Sequence, residues 1–201
     1  DALFHRDLGR VNGELAEMCQ RATEVRLLPL GTVNPTAPDW REDLRRCCED
    51  YRMFGIRLLP NYHGYQLSDP LVTELLGLVE RRGMLVQIVL RMEDPRTQHP
   101  LVQIPDVDPT PIPNLVATHP NLKIVLLNWS RSIPTNVVRQ LASAENVAFD
   151  IAMHEGVGGL GKLLKVSPET RVLFGSHCPF FNLESSLLKL RETPLAASQL
   201  K

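Results

Sequence analysis

The sequence of 201 residues has little net charge, few cysteines and no long apolar run. A formal net charge of -1 gives no reason to expect a nucleic acid or an acidic membrane as partner. No apolar segment approaches the length of a membrane span, and no secretory signal is visible. Two of the four cysteines, Cys47 and Cys48, are adjacent in a helical pattern, which makes a disulfide framework a poor interpretation. We therefore predict a cytoplasmic protein without a nucleic-acid or membrane partner, and a homo-oligomer is compatible with this composition.

The sequence does contain a regular alternation of apolar segments and helical patterns. The apolar segments predict six strands, at 25–33, 56–62, 84–90, 122–128, 146–153 and 171–176. Each strand is followed by a helical pattern, except that a polar, proline-rich loop at 93–113 precedes one of the helices. Strands that alternate with helices indicate a parallel sheet, because a right-handed crossover returns the chain to the same edge. The sequence thus predicts one α/β domain that spans residues 1–201.

Two helices carry signals for their ends. Asp39 is a plausible cap for a helix whose apolar positions run to Phe54, and Gly55 is the predicted stop. Asp69 and Pro70 are predicted to open the next helix.

Four segments resemble, in order, successive strands of the amidohydrolase-related proteins: PLGTVNP (29–35), GIRLLPNYHGYQLSDP (55–70), NLKIVLLNWS (121–130) and RVLFGSHCPF (171–180). The resemblance is to amidohydrolase family 2, a group of metal-dependent hydrolases and decarboxylases of carboxylated or cyclic substrates, and it extends over 12–190. It implies a TIM (β/α)8 barrel of the metal-dependent hydrolase type and a small-molecule substrate. Segment 25–33 would be the third barrel strand, so that the first two strands are expected before Asp1.

The resemblance also implies one divalent, zinc-like metal ion at the C-terminal mouth of the barrel. The family binds it through an H-x-H pair on the first strand, a His on the fifth, often a His on the sixth and an Asp on the eighth. Here Val89, Asn128 and His177 stand at the last three positions, and Arg91 follows Val89 on the same face. The six histidines form no H-x-H pair, which would have to lie before Asp1. The candidate metal ligands are therefore His177 and Asn128.

Arg91 and His177 lie at predicted strand ends, where barrel enzymes place their functional groups. Arg91 is a candidate catalytic residue that would clamp a substrate carboxylate or phosphate; a buried ion pair with Glu93 or Asp94 is an equally good interpretation. His177 is a candidate catalytic residue, and a hydrogen-bonded structural histidine is the alternative.

Further polar residues follow the fourth and seventh strands of the implied barrel. His154 is a candidate catalytic residue that would act with Glu155 as an acid/base pair, and surface exposure is the alternative. Asn61 and His63, together with Asn128, are candidate substrate-binding residues. Packing within the loop is the alternative for Asn61 and His63.

Three functional interpretations remain open. The first is a divergent hydrolase or decarboxylase that acts on a small carboxylated or cyclic substrate at the barrel mouth. The second is a catalytically inactive barrel that binds a small anion or a partner protein, because the metal-ligand type has changed at three strands. The third is an open nucleotide-binding sheet, which depends on GVGGLGK (156–162). That segment matches G-x-G-x-x-G but follows the second-last strand, and a flexible glycine-rich loop is the simpler explanation.

Overall fold

Strands and helices alternate along the described chain, except that two helices follow the second strand. The computed structural model describes residues 2–130 and 132–195. In chain order the elements are α1 Leu8–Arg21, β1 Leu30–Thr32, α2 Trp40–Glu49, β2 Gly55–Leu58, α3 Pro60–His63, α4 Pro70–Arg81, β3 Leu85–Val89, α5 Ile112–Thr118, β4 Ile124–Leu127, α6 Thr135–Ala142, β5 Val147–Asp150, α7 Gly159–Val166, β6 Val172–Leu173 and α8 Leu183–Arg191. None of the described helices is both long and apolar enough to cross a membrane.

The six strands form one parallel sheet in which spatial order follows chain order, β1 to β6. This confirms the predicted α/β architecture. In a parallel sheet of this order all strands end at the same edge, so the loops that follow them meet on one side of the molecule. Among the described residues, β1 and β6 are the two outer strands and pair only with β2 and β5.

The two faces of the sheet are built from alternating residues, because successive side chains of a strand point in opposite directions. One face packs against the helices and forms the main core, with Ile56, Leu58, Val86, Ile88, Ile124, Leu126, Val147 and Phe149 almost fully buried. We call the other face the inner face. It carries Arg57 of β2, Gln87 and Val89 of β3, Val125 and Leu127 of β4, and Asp150 of β5.

Two predicted boundaries after α2 are wrong. The helix ends at Glu49 rather than at Gly55, and Gly55 is the first residue of β2. Glycine is required there by packing, because an added Cβ would collide with the backbone oxygen of Leu85. The strand predicted at 56–62 ends at Leu58, since Pro60 begins the short helix α3 at a position where its missing N–H costs nothing.

The first predicted strand is also shorter than expected. Of segment 25–33 only Leu30–Thr32 pairs with β2, and Val25, Leu27 and Leu28 are exposed. The predicted start of α4 is confirmed, because Asp69 precedes the helix and Pro70 is its first residue. The segment predicted as a loop is irregular until α5 begins at Ile112.

Candidate functional site

A cluster of polar side chains lies at the edge where the strands end. Asn128 follows β4, Asp150 is the last residue of β5, and His177 follows β6. The backbone N–H of Asn128 donates to Oδ1 of Asp150 at 2.8 Å, and Nδ2 of Asn128 lies 3.5 Å from Nδ1 of His177. Nδ2 of Asn128 also donates to the backbone oxygen of Arg91 at 2.7 Å, which connects the loop after β3 to these residues. We call these three side chains, Asn128, Asp150 and His177, the mouth cluster.

The hydrogen atoms of the mouth cluster follow from its two carbonyl partners. Nε2 of His177 is 2.8 Å from the backbone oxygen of Met92, and a carbonyl can only accept, so Nε2 carries the hydrogen. The same reasoning fixes the Asn128 amide, because its atom facing the Arg91 oxygen must be the donating nitrogen. Nδ1 of a neutral His177 is then the acceptor that faces the Asn128 amide.

Burial shapes the ionisation of His177. Desolvation lowers the pKa of the imidazole below its ordinary value, and the hydrogen bond to Met92 and the charge of Asp150 act in the opposite direction. The ring stacks on Phe180 at 5.2 Å between centroids and meets the edge of Phe181 at 5.1 Å. A neutral His177 held on several sides is therefore part of the wall of the mouth.

Asp150 is the member of the cluster that sequence reasoning missed. It is 5% exposed, and its two oxygens accept from the backbone N–H groups of Asn128 (2.8 Å) and Ala152 (3.3 Å). Burial raises its pKa above the ordinary range, while those two hydrogen bonds and the charges of His177 and Lys189 act against the rise. A signal was present in the sequence, because Asp150 is the only charged residue in the apolar segment NVAFDIAM.

Arg91 reaches the same edge but is already paired. Its Nε donates to Oδ1 of Asp106 at 2.7 Å, and its Nη2 forms a second, very short contact with Oδ2 of the same carboxylate. The side chain is only 13% exposed. The partner lies in the loop before α5, not at Glu93 or Asp94 as the alternative interpretation had it. The guanidinium group is thus committed to a carboxylate of the chain itself.

The remaining candidates lie around the mouth rather than in the cluster. Asn61 donates to the backbone oxygen of Pro105 at 2.6 Å, and the Nε2 atom of His63 is 2.9 Å from the backbone oxygen of Ala2. They line two different clefts, so the structure does not bring them together. His154 stacks on Trp129, with 5.6 Å between the ring centroids.

His154 lines a cleft of about 290 Å³ between α6 and α7. Its Nδ1 lies 3.2 Å from the hydroxyl oxygen of Ser130, and its Nε2 is buried and has no hydrogen-bond partner among the described residues. Glu155 and Lys162 line the same cleft.

The glycine-rich segment 156–162 forms the entry to α7. Gly158 has a left-handed backbone (φ 63°) and precedes the first helical residue, Gly159. Its N–H donates to Oε1 of Glu192 at 3.3 Å. A carboxylate of α8's C-cap therefore lies where a bound phosphate would be expected, and the carboxylate would repel it.

The donor set of the mouth does not fit the metal centre that the sequence resemblance implies. The described residues hold no group of three or more His, Cys, Asp or Glu side chains that could bind a metal ion. Nε2 of His177 donates to a carbonyl, and its Nδ1 faces the Asn128 amide. Oδ1 of Asn128 is free of hydrogen bonds, but it is buried and belongs to a neutral, weak ligand.

The amidohydrolase family model matches residues 3–199, nearly the whole chain. The chain belongs to the amidohydrolase family. Its strands are therefore consecutive strands of this family's barrel, as the resemblance implied, and the mouth cluster lies at the barrel's C-terminal end. No curated protein matches the chain in sequence.

Solved structures of decarboxylases have the same fold. The 2,6-dihydroxybenzoate decarboxylase from Rhizobium is 18% identical, with a TM-score of 0.69 over 96% of this chain and 72% of that one. The 5-carboxyvanillate decarboxylase from Sphingomonas paucimobilis is also 18% identical, with a TM-score of 0.71 over 96% and 68%. The 5-carboxyvanillate decarboxylase from Novosphingobium aromaticivorans, complexed with manganese and 4-hydroxy-3-methoxy-5-nitrobenzoic acid, is 14% identical, with a TM-score of 0.75 over 98% and 69%.

Proposed function

We propose that the protein is an amidohydrolase-family enzyme that decarboxylates or hydrolyses a small, carboxylated cyclic molecule at the barrel mouth. The mouth cluster is the observation that carries this proposal. It places an ionisable carboxylate, a neutral imidazole and an amide at the end of the barrel where enzymes of this architecture act. Family membership and the carboxylated aromatic ligands of the structural neighbours support the choice of substrate class.

In this proposal Asp150 handles the proton and His177 positions the substrate. Replacement of a ring carboxylate by hydrogen requires a proton at the ring carbon, and hydrolysis requires a base for water. Asp150 is the group that would hold this proton, and His177 would keep the substrate against it. Asn128 fixes the orientation of both through its backbone N–H and its amide. Arg91 would act indirectly, by holding the loop before α5 against the mouth.

The test is a turnover assay with 2,6-dihydroxybenzoate and 5-carboxyvanillate, with and without added manganese, in which carbon dioxide and the ring product are measured. Asp150→Asn keeps the shape and removes the proton carrier, so turnover should fall at least about 100-fold. The exposed Asp108 in the loop before α5 provides the matched control, Asp108→Asn, which should leave turnover unchanged. Full activity in a folded Asp150→Asn protein would refute the assignment.

A second candidate is a non-catalytic barrel that binds a small carboxylate. The observation in its favour is that the described donors do not form a metal centre. It predicts that benzoates raise the melting temperature of the protein while no product appears under any metal condition. Manganese bound stoichiometrically, with turnover that depends on it, would exclude this candidate.

A further inference from the structure

The turn that follows Asp150 is held by a lysine of the last helix. Nζ of Lys189 on α8 donates to the backbone oxygens of Ile151 at 3.0 Å and Ala152 at 2.6 Å, the first two residues after β5. The partners are 38 and 37 residues apart in the sequence, so neither the strand pattern nor the helix pattern indicates this contact. It brings a positive charge to the turn next to the mouth cluster.

The ammonium group of Lys189 has lost part of its water and lies within electrostatic reach of Asp150. The side chain is half-buried, and desolvation lowers its pKa below the ordinary value, while the charge of Asp150 acts in the opposite direction. The charge of Lys189 in turn acts against the raised pKa of Asp150. The ammonium group therefore influences the carboxylate, although its hydrogen bonds go to the two backbone oxygens.

One peptide group connects the two charges. The backbone oxygen of Ile151 and the N–H of Ala152 belong to the same peptide, whose oxygen accepts from Lys189 at 3.0 Å and whose N–H donates to Oδ2 of Asp150 at 3.3 Å. A charge-assisted hydrogen bond at the oxygen polarises the peptide and strengthens the donor at its other end. Lys189 thus acts on the carboxylate through this peptide as well as through space.

The other polar groups of Asp150 are fixed without the help of Lys189. Its Oδ1 accepts from the backbone N–H of Asn128 at 2.8 Å, and its backbone oxygen accepts from Nε1 of Trp129 at 2.7 Å. Both donors belong to the segment after β4. Within the described part of the chain, Oδ2 accepts a hydrogen bond only from Ala152. The peptide that Lys189 holds therefore decides the environment of this oxygen.

We propose that Lys189 is a positioning residue of the mouth, which holds the Ile151–Ala152 peptide against Asp150 and so fixes the carboxylate that handles the proton. This inference rests on the proposed function, in which Asp150 is the proton carrier. Lys189 acts through Asp150 and is not itself a catalytic residue. A lysine that only tied α8 to the turn would affect stability and leave the chemical step unchanged, and this difference can be measured.

The first measurement needs no substrate. In the full-length protein labelled with 15N, the amide proton shift of Ala152 reports the strength of its hydrogen bond to Asp150. Lys189→Met removes the charge and keeps the length of the side chain, so the Ala152 resonance should move upfield, and the Asn128 resonance should move less. Lys189→Arg keeps the charge and should restore part of the shift. Lys165→Met, which changes an exposed lysine of α7, is the matched control and should leave both resonances in place.

The second measurement uses the turnover assay described above. Lys189→Met should lower kcat about 10-fold at an unchanged KM, and Lys189→Arg should recover part of the loss. If Lys189→Met does not fold, Lys189→Gln, which keeps a donor without the charge, takes its place with the same expectations.

The two measurements separate this inference from the proposed function. An unchanged Ala152 resonance in a folded Lys189→Met protein would overturn the inference. A shifted resonance without turnover by the wild-type protein would support the coupling of Lys189 to Asp150 and count against the proposed enzyme. Turnover by the wild-type protein with an unchanged kcat in Lys189→Met would do the reverse.

Discussion

Asp43 should make the protein less stable at neutral pH than at pH 4. The residue lies in α2 where α1 crosses it, is 6% exposed, and has Gly9 packed closely above it. Burial raises its pKa from 3.8 to about 6, the negative charges of Asp39, Asp7 and Glu42 add to the rise, and Arg46 opposes it. Because the folded state holds the proton more tightly than the unfolded state, the free energy of unfolding falls as the pH rises between these two values. A shift of about 2 pKa units corresponds to about 3 kcal/mol, fully lost above pH 6.

Asp43→Asn removes the ionisation and keeps the shape of the side chain. The variant should be more stable than the wild type by about 1–3 kcal/mol at pH 7.5 and nearly equal to it at pH 4. Urea denaturation, followed by the fluorescence of the buried Trp40 and Trp129, measures both values. Glu145→Gln, which changes an exposed carboxylate, is the control and should show no such difference. An equal gain at both pH values, or a loss of stability at pH 7.5, would show that the burial of Asp43 is not the cause.

Three further substitutions test the packing that holds the sheet. Gly55→Ala should destabilise the protein by about 1–3 kcal/mol or more, since the new Cβ meets the backbone of Leu85 in the adjoining strand. An unchanged midpoint of urea denaturation would contradict this and would mean that the strand can shift. Asn12→Ala should cost about 2–4 kcal/mol, because the buried amide both donates to and accepts from the backbone of Thr32; a melting temperature like that of the wild type would contradict this. Trp129→Phe should cost about 1 kcal/mol through loss of its indole hydrogen bond to a β5 carbonyl, and equal urea midpoints would argue against that bond.

The order of strands and helices was predictable because each period is a local property of the chain. Apolar runs set the strands and 3.6-residue spacing set the helices, and the parallel sheet follows from their alternation. The ends of the strands and helices were less predictable, because they depend on contacts with neighbouring strands. Segment 25–33 is mostly apolar, but only Leu30–Thr32 pairs with β2. Glycine commonly ends a helix, but Gly55 is a strand residue, because β2 approaches Leu85 closely at this position.

The position of the candidate site was predictable from the sequence, but the contacts among its residues were less so. Position at a strand end brought out Asn128 and His177, and the structure brings these two together. The same rule missed Asp150, since an acidic residue inside an apolar segment was read as part of the strand. It also gave no means of seeing that Asn61 and His63 line separate clefts, because a short helix intervenes where a strand was predicted.

The contacts of Arg91 show why charge at a strand end does not by itself identify a binding residue. Both ends of Arg91 are engaged, its guanidinium group by Asp106 and its backbone oxygen by Asn128, so the residue ties the loop before α5 to the mouth cluster. A ligand carboxylate would have to compete with Asp106 for that guanidinium group, which offsets most of the gain. A cation at a strand end therefore indicates a binding residue only where no carboxylate of the described chain already holds it.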